Sequence, residues 1–234
     1  MKKKFFDPNL KNKRKTVEEK LQIFNYKGKF LPLPTEIEIS ESGTCNRKCS
    51  FCPRSAPKFI DKKEFISNDL HLKMCEELKE INYSGTIRYS GFVEPMLDKN
   101  IFNLISMVRK FLPKSNIEMV TNGDPLNDKR LKKLFFSGLN KVLISAYDGE
   151  KEANELENLC KLVGLNDDQY IVRHRYLPEE KDFGITLSNR AGLMEKAEFK
   201  IDSLKEPLKT PCYIPSYTFF LDYQGDVLMC PHDW

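Results

Sequence analysis

The 234-residue chain reads as an α/β protein: a partial, open (β/α)6 TIM-like barrel of parallel strands followed by a C-terminal β-hairpin extension. Short β-prone runs alternate with longer segments whose apolar residues recur at helical spacing, a rhythm that predicts right-handed crossovers and a parallel sheet. The strand candidates number about six, enough for an open barrel and too few for a closed eight-stranded one. The unusual polar runs fall where strands give way to loops, the rim on which such barrels carry their chemistry.

After a lysine-rich start, Leu31-Pro-Leu-Pro34 marks a linker, and apolar residues alternate in Glu36-Ile-Glu-Ile-Ser40, the first strand. Further strands are expected at Thr86 to Tyr89, Ile117 to Thr121, Lys141 to Ser145, Tyr170 to Arg173 and Gly184 to Leu187. Helices are expected at Asp69 to Ile81, Lys99 to Leu112, Pro125 to Phe136 and Glu150 to Val163. Each carries an apolar stripe, such as Ile101, Leu104, Ile105 and Val108. Asp98 suits an N-cap, Pro125 a first turn, and Gly138 and Gly164 the C-terminal stops. Cys75 and Cys160 fall on helical stripes and read as core.

The loop after the first strand holds Gly43-Thr-Cys-Asn-Arg-Lys-Cys-Ser-Phe-Cys-Pro53. Three thiolates from Cys45, Cys49 and Cys52 suit an iron-sulfur cluster whose fourth iron stays open for a ligand. A structural zinc site wants four donors, usually from paired knuckles, and no second knuckle lies nearby; His71 sits in a helix, and His174 and His232 are distant in sequence. A non-catalytic zinc or electron-transfer protein is the competing reading.

The spacing C-x3-C-x2-C, with Phe51 before the last cysteine, resembles the radical S-adenosylmethionine superfamily. The resemblance implies a partial-barrel core and a 4Fe-4S cluster on Cys45, Cys49 and Cys52, with S-adenosylmethionine chelating the open iron. It also implies reductive cleavage to methionine and a 5′-deoxyadenosyl radical, which abstracts a hydrogen atom from an organic substrate. Gly91-Phe-Val-Glu-Pro95 resembles the family's Gly-Gly-Glu-Pro motif, placing Gly91, Phe92, Glu94 and Pro95 at the cofactor's ammonium, although Val93 stands where glycine is usual. Thr121-Asn122-Gly123 looks like the family's ribose-binding Thr-Asn-Gly. Ser145 is a further candidate contact, and Arg173 or Arg175 suits the cofactor's carboxylate because a guanidinium fork matches it in two-point geometry. Strand alternation puts His174 on the opposite face from the two arginines, and Phe51 would shield the cluster from water.

Residues 211–234 break the strand-helix rhythm, with two alternating runs flanking Tyr223-Gln-Gly-Asp226 as a hairpin. Cys212, Gly225 and Cys230, with twelve and four residues between them, resemble the opening of SPASM and twitch extensions, which implies that the two cysteines begin an auxiliary iron-sulfur site. Two cysteines cannot hold four irons, so either the natural chain continues past Trp234, the favoured expectation, or the auxiliary site is degenerate. The expected divisions are a basic arm (1–34), the barrel core (35–205) and the start of the extension (206–234).

The net charge of +4 concentrates in residues 1–29, with ten Lys or Arg against three Asp or Glu, leaving 28 basic and 31 acidic residues of the totals 38 and 34. The body is therefore slightly acidic, which argues against a nucleic-acid clamp and for a solvated arm or outer helix. No apolar run reaches the ~18 residues of a membrane span, and a secretory apolar stretch is missing from the start, so a cytoplasmic protein with reduced cysteines is expected. The arm is too short to fold as a leader-binding domain, which favours a small or carbohydrate-like substrate over a peptide. An RNA-modifying enzyme docking through the arm is a further alternative. The family implies an electron donor such as flavodoxin or ferredoxin.

Overall fold

The computed structural model describes residues 22–177, 189, 190, 192–196, 200–202, 205, 206 and 214–231. In chain order the strands are β1 (Ile23–Tyr26), β2 (Lys29–Pro32), β3 (Glu36–Ser40), β4 (Ser42–Gly43), β5 (Lys62–Phe65), β6 (Thr86–Tyr89), β7 (Asn116–Thr121), β8 (Lys141–Ala146), β9 (Tyr170–His174), β10 (Thr218–Asp222) and β11 (Val227–Leu228). The helices are α1 (Asn68–Glu80), α2 (Ile101–Phe111), α3 (Asp128–Phe136), α4 (Glu150–Leu162) and the short α5 (Ile214–Tyr217). Among the described residues no helix is long and apolar enough to cross a membrane.

Among the described residues seven strands form one sheet in the order β11-β10-β3-β6-β7-β8-β9, parallel except for β11. Its register aligns Ile37, Ile87 and Ile117 on adjacent strands, then Ile39, Tyr89 and Met119. These residues are buried with Cys75, Leu104, Ile105, Val108, Leu131, Leu134, Ala153 and Cys160 from the helices. Each fully buried aliphatic side chain contributes about 1.5–3 kcal/mol, so this layer fixes which face of every strand meets the helices. The alternate face is charged: Arg88 pairs with Glu36 and Glu118 on the two flanking strands, each at 2.7 Å. That alternation is why these parallel strands do not read as continuous apolar runs.

Four expected helices and five expected strands form within a few residues of their predicted bounds, and Gly138 and Gly164 follow the last turns of α3 and α4. The expected strand Gly184 to Leu187 lies outside the described residues. Two helix starts differ. Asn100, not Asp98, precedes α2, and the Asp98 carboxylate accepts from Asn100 N at 2.7 Å in a turn one residue earlier. α3 begins at Asp128, where the Asn127 side chain accepts from Arg130 N at 2.9 Å, so Pro125 falls in the preceding loop. In both cases a short polar side chain captured a nearby backbone donor.

The expected arm and linker also differ. Residues 23–32 form an antiparallel hairpin turning at Lys27 and Gly28, with φ of 49° and 80°. Two left-handed residues make the turn whose twist matches a β-ribbon, and Leu31 and Pro32 belong to β2 instead of a linker. The C-terminal hairpin turns where expected, but β10 also pairs in parallel along the whole of β3. The first strand of the barrel would otherwise present an open hydrogen-bonding edge, and β10 covers it with Phe220 and Leu221 buried.

Candidate functional site

The cysteine loop leaves the carboxyl end of β3 and is pinned by the β4–β5 pair, which joins Ser42 and Gly43 to Phe65 and Lys62. A Cβ at Gly43 would meet the Lys62 carbonyl oxygen at 2.5 Å, so this approach requires glycine. Cys52 N donates to Cys49 O at 2.9 Å, and the Ser55 hydroxyl donates to Cys52 O at 2.8 Å, closing a turn around the last cysteine. Cys45, Cys49 and Cys52 are all half-buried. Burial raises all three thiols; Cys49 is pushed up to about 11, with the neighbouring Cys52 and Cys45 adding to the effect.

Among the described residues no three His, Cys, Asp or Glu gather tightly enough to hold one metal ion. A cubane asks for something different, because each thiolate caps its own iron and the sulfurs surround a volume instead of a point. The donors around Cys45 fit that group: its sulfur accepts from Arg47 N at 3.4 Å and Asn122 Nδ2 at 3.8 Å, contacts that favour the thiolate.

The second and third loops meet the first. Glu94 is buried, its N donates to Thr44 O at 3.0 Å, and its carboxylate accepts from Met96 N at 3.0 Å, the Thr121 hydroxyl at 2.6 Å and Asn122 N at 2.7 Å. Burial raises its pKa while these donors pull it back. Three of roughly four acceptor positions are thus taken within the protein, so Glu94 ties the Gly91–Pro95 loop to Thr121 and Asn122. Asn122 in turn donates to Asn46 Oδ1 at 2.8 Å. Gly91 lies at φ 126°, Pro95 opens a short 3-10 turn, and the unusual Val93 is buried.

At the ends of β8 and β9, Ser145 and Arg173 are register neighbours, and Arg173 Nη2 donates to Ser145 Oγ at 2.9 Å. Arg175 N donates to Ala146 O at 2.8 Å. The Phe51 ring stands 5.6 Å from the Tyr147 ring, joining the cysteine loop to this side of the rim. His174 points away, 3.5 Å from Glu157 on α4, as its place in the alternation predicts. Cys230 is half-buried beyond β11, and Cys212 lies outside the described residues.

Two arginines escaped the sequence reading. Arg47, between Cys45 and Cys49, pairs with Asp124 at 2.5 Å, Asp148 at 2.8 Å and Glu152 at 3.0 Å, drawing together loops after β3, β7 and β8. Arg54 is buried, donates to the carbonyls of Gly43 and Phe92 at 3.3 and 3.1 Å, and pairs with Asp61 at 2.5 Å. The visible signal was an arginine inside the cysteine motif with aspartates just past Thr-Asn-Gly and Ser-Ala-Tyr.

Glu41, four residues before Cys45, faces the helix layer. Among the described residues neither of its carboxylate oxygens has a hydrogen-bond partner, and the adjacent Ser42 hydroxyl is directed to Thr44 O at 3.5 Å. Burial, then Asp98 and Glu94, hold its pKa well above the ordinary 4.5. In the same layer His71 meets the Tyr89 hydroxyl at 2.9 Å, and burial pushes it down to about 4, which keeps it neutral.

A sequence model of the Radical SAM superfamily matches residues 39–187. The chain is 28% identical over 200 residues to the S-adenosyl-L-methionine-dependent 2-deoxy-scyllo-inosamine dehydrogenase of Niallia circulans, covering 85% of this chain and 74% of that protein. It is 32% identical over 136 residues to the GTP 3′,8-cyclase of Clostridium perfringens strain SM101, covering 54% of this chain and 40% of the cyclase. The crystal structure of BtrN in complex with AdoMet and 2-DOIA is similar with a TM-score of 0.68 and 25% identity, covering 86% of this chain and 74% of that one. With cysteine spacing, rim geometry and these likenesses in accord, this chain belongs to the Radical SAM superfamily and is an enzyme that uses a 4Fe-4S cluster and S-adenosylmethionine.

Proposed function

We propose that the chain dehydrogenates a small carbohydrate-like molecule, with Cys45, Cys49 and Cys52 holding the cluster at the carboxyl end of the sheet. The observation that carries this reading is the chain of contacts from Thr121 through Glu94 and Asn122 to the Cys45 sulfur, with the Ser145–Arg173 pair at the same carboxyl end of the sheet. When bound, the cluster and S-adenosylmethionine supply a 5′-deoxyadenosyl radical able to take a hydrogen atom from carbon. Arg173, already oriented by Ser145, offers a two-point fork to the cofactor's carboxylate. Thr121 and Asn122 are assigned to the ribose side. Carbonyls of the Gly91–Pro95 loop, with the remaining Glu94 acceptor position, are assigned to the ammonium, which needs acceptors only. Phe51 and Tyr147 form an aromatic wall that keeps water from the thiols.

The substrate class follows from the Niallia circulans relative, whose name gives an aminocyclitol substrate and which this chain matches over most of its length. After losing a hydrogen atom, an alcohol carbon must still release one electron and one proton to become a ketone. Cys212 and Cys230 are proposed as the first ligands of an auxiliary iron-sulfur acceptor for that electron, and a flavodoxin or ferredoxin as the reductant of the first cluster. A cytoplasmic location accords with this oxygen-sensitive chemistry.

Anaerobic reconstitution tests the reading. A reduced protein whose electron paramagnetic resonance spectrum changes on adding S-adenosylmethionine, and which releases 5′-deoxyadenosine, supports it. A protein that takes up zinc in place of iron and leaves S-adenosylmethionine intact overturns it.

A further inference from the structure

Arg190 differs from Arg47 and Arg54, which also stand on the rim. Arg47 and Arg54 each pair with carboxylates. Arg190 has no carboxylate partner among the described residues, and its Nε is buried without a hydrogen-bond partner. Its guanidinium centre lies 5.9 Å from the Phe92 ring, and its titratable neighbours are Cys52, Arg175 and Tyr147. Burial and then Arg175 both act against its charge, whereas Cys52 favours it.

The backbone holds it there deliberately. Arg190 has φ 54°, a left-handed conformation that costs a non-glycine residue on the order of 1 kcal/mol. The turn is kept by Asn189, whose Oδ1 accepts from Gly192 N at 2.5 Å and whose Nδ2 donates to Ile201 O at 2.6 Å. A largely buried cation beside a second cation, in a constrained turn, calls for an anion that arrives from outside.

We infer that Arg190, seated beside Phe92 and close to Arg175, binds an anionic group of the substrate, a carboxylate or a phosphate monoester, so that the substrate is an acidic sugar or sugar phosphate. The inference rests on the proposed carbohydrate chemistry and departs from the aminocyclitol of the Niallia circulans relative, whose amine would meet the Arg190 guanidinium. The carboxylate of S-adenosylmethionine is left to Arg173 and Ser145.

The test is calorimetric titration of the reconstituted full chain, loaded with S-adenosylmethionine, using D-glucuronate, D-glucose 6-phosphate, neutral myo-inositol and 2-deoxy-scyllo-inosamine as probes. At least one acidic probe is expected to bind tenfold or more tightly than myo-inositol. Arg190→Gln should abolish that preference and Arg190→Lys restore part of it, while S-adenosylmethionine affinity stays within twofold. Three results overturn the inference: neither acid exceeds myo-inositol, the inosamine exceeds both acids, or Arg190→Gln weakens S-adenosylmethionine tenfold. Release of 5′-deoxyadenosine by the wild-type chain without any probe reports on the radical chemistry separately, so failure there with acid binding intact sinks the proposed reaction and not this site.

Discussion

The Glu94 carboxylate accepts from Asn122 N at 2.7 Å, bonding the loop after β6 to the loop after β7 beneath the cysteines. Thr121 makes the same link through its hydroxyl at 2.6 Å. Glu94→Gln turns one acceptor oxygen into a donor that faces existing donors. The expected loss is about 1–3 kcal/mol of stability and about tenfold in S-adenosylmethionine affinity, read by denaturant unfolding and calorimetry.

Arg47 stands against three carboxylates, so Arg47→Leu leaves Asp124, Asp148 and Glu152 facing one another. Asp148 is mostly exposed, which limits the effect to about 1 kcal/mol. Iron uptake should fall, and raised ionic strength should recover part of the lost stability because it screens the repulsion. Arg47→Lys keeps the charge but loses the two-point fork to Asp124 and should fall between wild type and Arg47→Leu. Thermal melts with and without added salt, together with iron content, check all three expectations.

Cys49→Ala should remove the visible iron-sulfur absorbance and the release of 5′-deoxyadenosine together. Cys230→Ala should retain about four irons per chain and the cleavage of S-adenosylmethionine, and lose turnover to a ketone. Iron analysis alongside product chromatography separates the two variants.

Glu41 gives a pH signature. Its folded pKa is raised by burial and by the nearby Asp98 and Glu94, with Tyr89 also in its field. A raised acid binds its proton more tightly when folded, so its stabilising effect is complete below the ordinary 4.5 and drains away as pH climbs through the folded value. Glu41→Gln cannot ionise. The variant should therefore melt above wild type at pH 8, and the two should converge near pH 5. A melting difference that stays constant across this range would count against a neutral buried Glu41.

Periodicity and motif spacing located β3, β6, β7, β8 and all four long helices, because a one-sided apolar pattern has only one face to bury. They also pointed to Cys45, Cys49, Cys52, Glu94, Thr121 and Asn122, of which the structure links Thr121, Glu94, Asn122 and Cys45 by hydrogen bonds. Asp98 and Pro125 misled because caps depend on which side chain reaches a free backbone donor, a matter of single dihedral angles.

By itself the sequence determined the alternating architecture, the three sulfurs and the rim on which they sit, since each is written in neighbouring residues. Only the tertiary structure decided that β10 closes the edge of β3, that Arg47 gathers acids up to 105 positions away in sequence, and that Arg190 stands over Phe92 with no carboxylate partner among the described residues. Strand edges and buried charges are settled by which distant segment arrives to satisfy them, and composition and spacing hold no record of that meeting.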